Sequence, residues 1–358
     1  MKLYYWISLC LCIIIISCKK TIYYAPDEIK YVNTQNIHDS LEAKILPISV
    51  FVPQQIAFID SFLIILTKNP SEFISIVNTQ NDSLIANFCV EGRGPNEYLV
   101  PYTLKQFDSN KAGDRLLYIT DNYNVVKAFN ITQSIYKNEA VCEPAIPINT
   151  STADPFFLAQ GATFLKQHVT YNDPRDYIFF PPSYIIKNNS NTKKYHIFPD
   201  ILKNPTVRAL PLFLYDAVTR IKPDLTKIVD AMSYLDNLNI IETSSGKCLG
   251  ITEQNSCPFE DLVYSNEGEL LKILKYGVLD ICVTNEHIIM LYDGRFADAV
   301  EKQTEELKPI LKIFNWEGDF LCAYQLSEPL RGIAYDENHK TLYGFDMKEN
   351  FYKYLPPN

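Results

Sequence analysis

Two hairpins in this chain repeat one another, and that repetition limits the fold more than any other feature. Leu116-Leu117-Tyr118-Ile119-Thr120-Asp121, a short turn and Val125-Val126-Lys127-Ala128-Phe129 make the first. Thr341-Leu342-Tyr343-Gly344-Phe345-Asp346, another turn and Phe351-Tyr352-Lys353-Tyr354 make the second. A further strand-like run ending in acidic and polar residues precedes each, Gln106 to Asn110 and Gly332 to Asn338. Weaker copies pair Ile64–Thr67 with Phe73–Val77, Thr163–Thr170 with Tyr184–Lys187, Lys227–Met232 with Ile240–Thr243, and His287–Tyr292 with Leu311–Phe314. The second strands then start near residues 63, 117, 163, 227, 288 and 342, spaced by 46 to 64 residues. One small antiparallel sheet cannot bury both its faces, so sheets repeating at this period pack radially. The expectation is an all-β, six-bladed β-propeller of four-stranded antiparallel blades over residues 45–358. Its ring is closed by an N-terminal strand, Ile29–Asn33 or Ile45–Phe51, added to the last blade. A seventh blade within Ala140–Phe157 and a two-sheet β-sandwich array are the alternatives. Asp298–Glu306 and part of Asp261–Tyr276 read as helical excursions between strands.

The 24 Tyr and 20 Phe support strands over helices. The first residues, MKLYYWISLCLCIIIISCKK, carry Lys2 and then an apolar run from Leu3 to Ile16. That is too short for a bilayer span, which needs about 20 residues, and has the length of a signal-peptide core. The run ends at Ile15-Ile16-Ser17-Cys18, which resembles a bacterial lipobox. The resemblance implies a signal peptide over 1–17, a lipid-modified Cys18, a tether over 18–44 and a protein held to the membrane without spanning it, since several acyl chains anchor stably. Lys19-Lys20 follow in place of an acid-rich export tag, which favours the periplasmic side over the cell surface. Losing residues 1–17 removes one positive charge and takes the formal charge from −9 to −10. An acidic chain without a basic run excludes nucleic acid as the expected partner. Six cysteines remain after Cys18, with no CxxC pair, so neither zinc nor redox chemistry is indicated. A Cys248–Cys257 bridge is open to the chain in an oxidising compartment.

Glu91-Gly92-Arg93-Gly94-Pro95-Asn96-Glu97-Tyr98-Leu99-Val100-Pro101 superficially resembles a phosphate loop. Such a loop needs converging amides at a helix N-terminus, whereas Pro95 removes an amide and a strand follows. The stretch reads as a joint between blades, its glycines supplying unusual backbone angles and Pro95 fixing the turn, with Arg93 a candidate ligand contact. No nucleophile elbow and no HExxH or metal spacing of histidines occurs. His287 opens a strand near Asp293 and Arg295, and that trio could face a central opening. Asp121 and Asp346 recur at equivalent hairpin positions, which reads as turn capping; a calcium site would need six or more converging oxygens. The polar insertion Tyr171–Tyr177 is a candidate recognition loop.

Glycine-rich joint, aromatic, proline and a Leu-Tyr-x-x-Asp hairpin together resemble an NHL-type propeller repeat. Lipobox, acidic β-rich body and one Gly-Arg-Gly-Pro-x-Glu-aromatic joint after the first blade resemble more closely the TolB-like six-bladed propeller lipoproteins of Gram-negative bacteria. The resemblance implies the fold and a cell-envelope location, and little biochemistry. Two readings follow. One is a monomeric, non-enzymatic, cofactor-free propeller acting as a binding module for a protein, peptide or glycan, or as a scaffold within an envelope assembly, with Arg93, Asp121, His287, Asp293 and Arg295 as candidate contacts. The other is a propeller hydrolase or lyase at the central channel, which requires at least three of Asp121, His287, Asp293 and Asp346 to converge.

Overall fold

The computed structural model describes residues 22–122, 125–147, 153–167, 181–188, 191–199 and 214–355. Six sheets are present; the blades run outward from their first strands in chain order, except that an N-terminal strand completes blade 6. Blade 1 comprises β4 (Pro53–Ile59), β5 (Phe62–Thr67), β6 (Ile74–Asn78) and β7 (Ser83–Phe88); blade 2 comprises β8 (Pro101–Ser109), β9 (Arg115–Asp121), β10 (Val125–Asn130) and β11 (Ile146–Pro147). Blade 3 holds β12 (Ala153–Phe157), β13 (Thr163–Gln167), β14 (Ser183–Lys187) and β15 (Thr192–Tyr195), and blade 4 holds β16 (Ala217–Ile221), β17 (Lys227–Met232), β18 (Asn237–Glu242) and β19 (Cys248–Glu253). Blade 5 is β20 (Val278–Val283), β21 (His287–Tyr292), β22 (Ile310–Asn315) and β23 (Phe320–Leu326). Blade 6 is β24 (Leu330–Asp336), β25 (Thr341–Asp346), β26 (Phe351–Tyr354) and β3 (Ala43–Ile45). Around the axis the first strands touch one another, β4 with β8 and β24, β8 with β12 and β16, and β20 with β16 and β24.

The second strand of every blade starts within two residues of its expected place. Most of these strands are deeply buried, β25 throughout and β5 from its second residue on, whereas β13 alternates. A strand buried on both faces loses the alternating pattern and reads as a continuous apolar run, which is why the repeat is visible at this position. Between the sheets lie apolar layers such as Ile64, Ile76, Ile119 and Phe129 between blades 1 and 2. Buried ion pairs cross other interfaces, among them Lys166–Asp230 at 2.7 Å between blades 3 and 4, with both side chains fully enclosed.

One alternative falls away, and two parts of the reading change. Ala140–Phe157 holds no seventh blade; it supplies the outer strand of blade 2 and the first strand of blade 3. Ring closure falls to Ala43–Ile45, whose pairing with β26 is antiparallel, while β1 (Glu28–Val32) lies parallel on β19 in blade 4 and β2 (His38–Leu41) parallel on β23 in blade 5. From Ile22 onward the segment is therefore a belt over the rims of three blades. Only Val32 of β1 is buried, so this strand is held by ladder hydrogen bonds to an edge rather than by an apolar face. Finally, a helix absent from the sequence reading, Ile131–Lys137, follows β10, capped by Asn130 accepting from Gln133 N. Helices Phe259–Tyr264, Glu267–Ile273 and Ala297–Glu301 occupy the two expected excursions. Residues 1–21, with Cys18, and the insertion Tyr171–Tyr177 lie outside the described residues.

Candidate functional site

The first strands are not regular ladders. Pairing slips between Thr103 and Phe107 in β8, between Val278 and Asp280 in β20, and between Leu330 and Gly332 in β24. Bulges of this kind re-aim side chains. In β8 the bulge is pinned on both sides by buried glutamines: Gln55 exchanges two hydrogen bonds with the Thr103 backbone (2.8 and 2.9 Å), and Gln106 does the same with Phe157 (2.6 and 2.9 Å). Between these clamps Lys105 adopts a left-handed backbone, φ 57°, a conformation that costs a non-glycine residue about 1 kcal/mol or more.

That strained turn delivers the Lys105 ammonium to the axis. Nζ donates to Asp280 Oδ2 at 2.6 Å and to the Ile333 carbonyl at 2.7 Å. From blade 4, Arg220 donates through Nη2 to Asp280 Oδ1 (2.8 Å), through Nε to the Ile281 carbonyl (3.1 Å) and through Nη1 to its neighbour Thr219 (2.8 Å). Asp280 also accepts from Ile281 N at 2.8 Å and Ile333 N at 2.9 Å. Four donors from blades 2, 4, 5 and 6 thus converge on one buried carboxylate. Burial pushes this carboxyl toward neutrality, but Lys105 and then Arg220 outweigh it and hold it below the usual aspartate range. Burial likewise lowers the Lys105 ammonium, with Asp280 opposing and Arg220 adding to the fall.

Above this floor a cavity of about 260 Å3 opens on the face where the first strands end. Phe58, Phe107, Leu225 and Tyr335 give it apolar walls; Asp60, Thr284 and Glu337 stand among its polar groups. A pocket with apolar walls and a few polar groups is the usual form of a binding site.

The residues singled out in the sequence lie elsewhere and do not converge. His287 and Asp293 are at opposite ends of β21, about 20 Å apart at about 3.3 Å per residue. Asp293 forms a two-pronged ion pair with Arg295 (2.7 and 2.9 Å), and Arg295 also donates to the Glu305 carbonyl at 3.0 Å. The Asp293 contact comes first among the causes that raise the Arg295 guanidinium above its usual range. Asp121 and Asp346 share a position in their hairpins and both hold backbone amides. Asp121 accepts from Leu99 N (2.8 Å) and Val100 N (3.0 Å), Asp346 from Lys348 N (2.8 Å) and Asn350 N (2.9 Å). His287 and Asp293 therefore do not meet, and Asp121, Asp293 and Asp346 are each engaged by backbone amides or by Arg295. Among the described residues, no three of His, Cys, Asp and Glu are grouped to hold a metal ion.

The 91–101 stretch does join blades 1 and 2, through a bridge between Glu91 and Tyr98. Its glycines play a different part from the one anticipated, because neither has a left-handed backbone. They are small because the Glu97 side chain folds over them: a Cβ on Gly92 would stand 2.0 Å from Glu97 Oε2, and one on Gly94 2.9 Å from it. Glu97 accepts from Gly94 N at 2.7 Å, and Lys127 Nζ donates to the carbonyls of Gly94 (3.1 Å) and Glu97. Arg93 points outward and is exposed. Lys105, Arg220 and Asp280 were missed in the sequence; a lysine between two clamped segments carries no local signal.

Among solved structures, a putative exported protein of Bacteroides fragilis is 12% identical, with a TM-score of 0.52 over 92% of this chain and 99% of that one, a likeness of fold. Hydrazine synthase of Kuenenia stuttgartiensis is 11% identical, with a TM-score of 0.41 over 85% of this chain and 83% of that one. No curated protein matches the sequence significantly. The model of the family described as TolB-like 6-blade propeller-like matches residues 20–338, which takes in the joint, the axial cluster and nearly all of the six blades. The chain belongs to the TolB-like six-bladed propeller family.

Proposed function

We propose that the protein is a monomeric, lipid-anchored module of the cell envelope, held by Cys18 on the periplasmic side. In this reading its axial funnel receives a peptide, protein segment or glycan, and no nucleic acid partner is involved. The observation that carries the reading is the form of the funnel: partly apolar walls over a floor whose charged groups are already spent on one another. Such a floor holds Lys105, Arg220 and Asp280 against one another rather than free for acid–base work, whereas walls with Phe58, Phe107 and Tyr335 offer contact area to a ligand.

Anchoring and binding separate experimentally. Cys18→Ala should abolish incorporation of labelled palmitate and leave the protein unprocessed or released from membranes; equal labelling of the variant would refute the anchor. For binding, a photo-crosslinking residue at Tyr335, on the funnel wall, should give adducts in cells. The same residue at Tyr136, 84% exposed on the helix after β10, should give none. Equal adducts at both positions, or none at Tyr335, would remove the funnel as the ligand site.

A further inference from the structure

We propose that Cys89 and Cys142 form a modification site, oxidised to an intramolecular disulfide that fastens blade 1 to blade 2 beneath the 91–101 joint. Cys89 follows β7 directly, is buried, and has a left-handed backbone of φ 63°. Cys142 lies after the helix that follows β10, is half-buried, and is fixed by its own amide, which donates to Asn96 Oδ1 in the joint at 2.9 Å. Its sulfur is 3.4 Å from the hydroxyl of Tyr98, a fully buried residue. The side chains of Cys89 and Cys142 pack into one apolar layer with Phe88, Tyr98 and Phe129, close enough for each thiol to act on the ionisation of the other.

No other free thiol among the described residues has such a neighbour. Cys248 approaches Asn239, and Cys257 its own following carbonyl, so the bridge weighed between them is not formed. The surroundings also divide the roles within the pair. Hydrogen bonding from Cys89 leads in lowering the Cys142 thiol, with Tyr98 and Lys127 assisting against burial. Cys89 is pushed upward, first by that same hydrogen bond and then by burial. Cys142, half-buried and more readily deprotonated, is the attacking thiol.

The oxidant is a donor disulfide, supplied by a thiol-oxidising partner or by oxidised glutathione. The Cys142 thiolate attacks one donor sulfur, forming a mixed disulfide and expelling the first donor thiolate. Cys89 then loses its proton and attacks the Cys142 sulfur, expelling the second. Two electrons and two protons pass to the donor, which leaves as a dithiol, or as two thiols in the case of glutathione. The closed loop spans residues 89 to 142, with the joint and the first three strands of blade 2 inside it. A loop of that length should raise the Tm by about 5 °C.

For its oxidant in cells the proposal rests on the envelope reading, so the test has two arms. In the first, full-length protein made in a Gram-negative host with its own N-terminus is trapped with a maleimide under denaturing conditions without reductant. Peptide mapping should find Cys89 and Cys142 joined and the other four body cysteines tagged; Cys89→Ser should leave Cys142 tagged, and Cys142→Ser should leave Cys89 tagged. In the second, reduced purified protein is incubated with oxidised glutathione and should form the same bond, losing the Tm gain on reduction. Tm measured on Cys89→Ala/Cys142→Ala checks that the variants fold. A pair that stays reduced with glutathione, or a bond mapped to other cysteines, overturns the proposal. A bond that forms with glutathione but never in cells upholds the pair and overturns the envelope reading.

Discussion

The joint at 91–101 and the axial floor solve the same physical problem in opposite ways. Each places charged side chains in a largely apolar setting, where every polar group must find a partner. In the joint the partners are close in sequence: Glu97 bonds Gly94 three residues away, and Lys127 reaches back 33 and 30 residues to the same turn. At the axis, Arg220 is 60 residues from Asp280, Lys105 is 175 from Asp280 and 228 from Ile333. The joint is thus a motif that its own blade can stabilise, whereas the floor exists only when blades 2, 4, 5 and 6 are all in place. A conspicuous motif here marks a stiff connector, and the chemistry gathers where topology brings unremarkable residues together.

The sharpest way to break this contrast is to remove the carboxylate at the centre of the floor. Asp280→Ala leaves Lys105 and Arg220 buried and takes the shared acceptor from all four donors, and should cost about 3–5 kcal/mol in urea unfolding. The counterpart in the joint, Asp121→Ala, frees the amides of Leu99 and Val100 and removes the carboxylate 3.6 Å from Lys127, whose ammonium keeps the Gly94 and Glu97 carbonyls, and should cost about 1–3 kcal/mol. Equal losses would remove the distinction. Acid should show the same carboxyl at work. Because its folded pKa lies below the unfolded value, the stability it contributes is complete at neutral pH and fades as pH falls through the lowered folded value. The gap between wild type and Asp280→Ala should therefore be constant above about pH 5 and narrow only in strong acid.

A smaller effect tests the locality of the joint. Gly92→Ala forces the Glu97 carboxylate off its perch and breaks its bond to Gly94 N, at a cost of about 1–2 kcal/mol. In a Glu97→Ala background the carboxylate is gone and the Cβ of residue 97, 3.2 Å away, is the contact left from that side chain, so the same substitution should cost less than about 0.5 kcal/mol. A double-mutant cycle from chemical denaturation measures this coupling. An additive result would mean that the glycines serve some purpose other than making room for Glu97.

The contrast also accounts for what could be read from sequence. The second strands were legible because most are buried β-branched and aromatic runs recurring every 46 to 64 residues; Asp346 does hold the amides of its own turn, whereas Asp121, at the equivalent position, holds the Leu99 and Val100 amides of the joint. The belt was only partly legible: β1 and β2 are mostly exposed and lie parallel on edges, so no apolar alternation reports their partners. The glycines of the joint were noticed for the wrong physical reason, since two glycines near a proline suggest unusual φ and only the folded Glu97 side chain shows why they must be small. Nothing in Lys105, Arg220 or Asp280 as local sequence announces the floor. His287, Asp293 and Arg295 drew notice by proximity in the chain, but a strand carries His287 and Asp293 to opposite ends.

The least perturbing substitution sharpens the comparison from the other side. Arg93 is the one exposed cation within the joint's Gly-Arg-Gly turn, and an exposed side chain outside such packing seldom moves stability by more than about 0.5 kcal/mol. Arg93→Ala should therefore unfold with wild type in urea and leave crosslinking from Tyr335 unchanged. Unchanged stability with lost crosslinking would place a ligand contact on the joint's face of the disc as well as in the funnel. A measurable loss of stability would instead mean that Arg93 has a partner within the fold and that the joint extends further than Glu97 and Lys127.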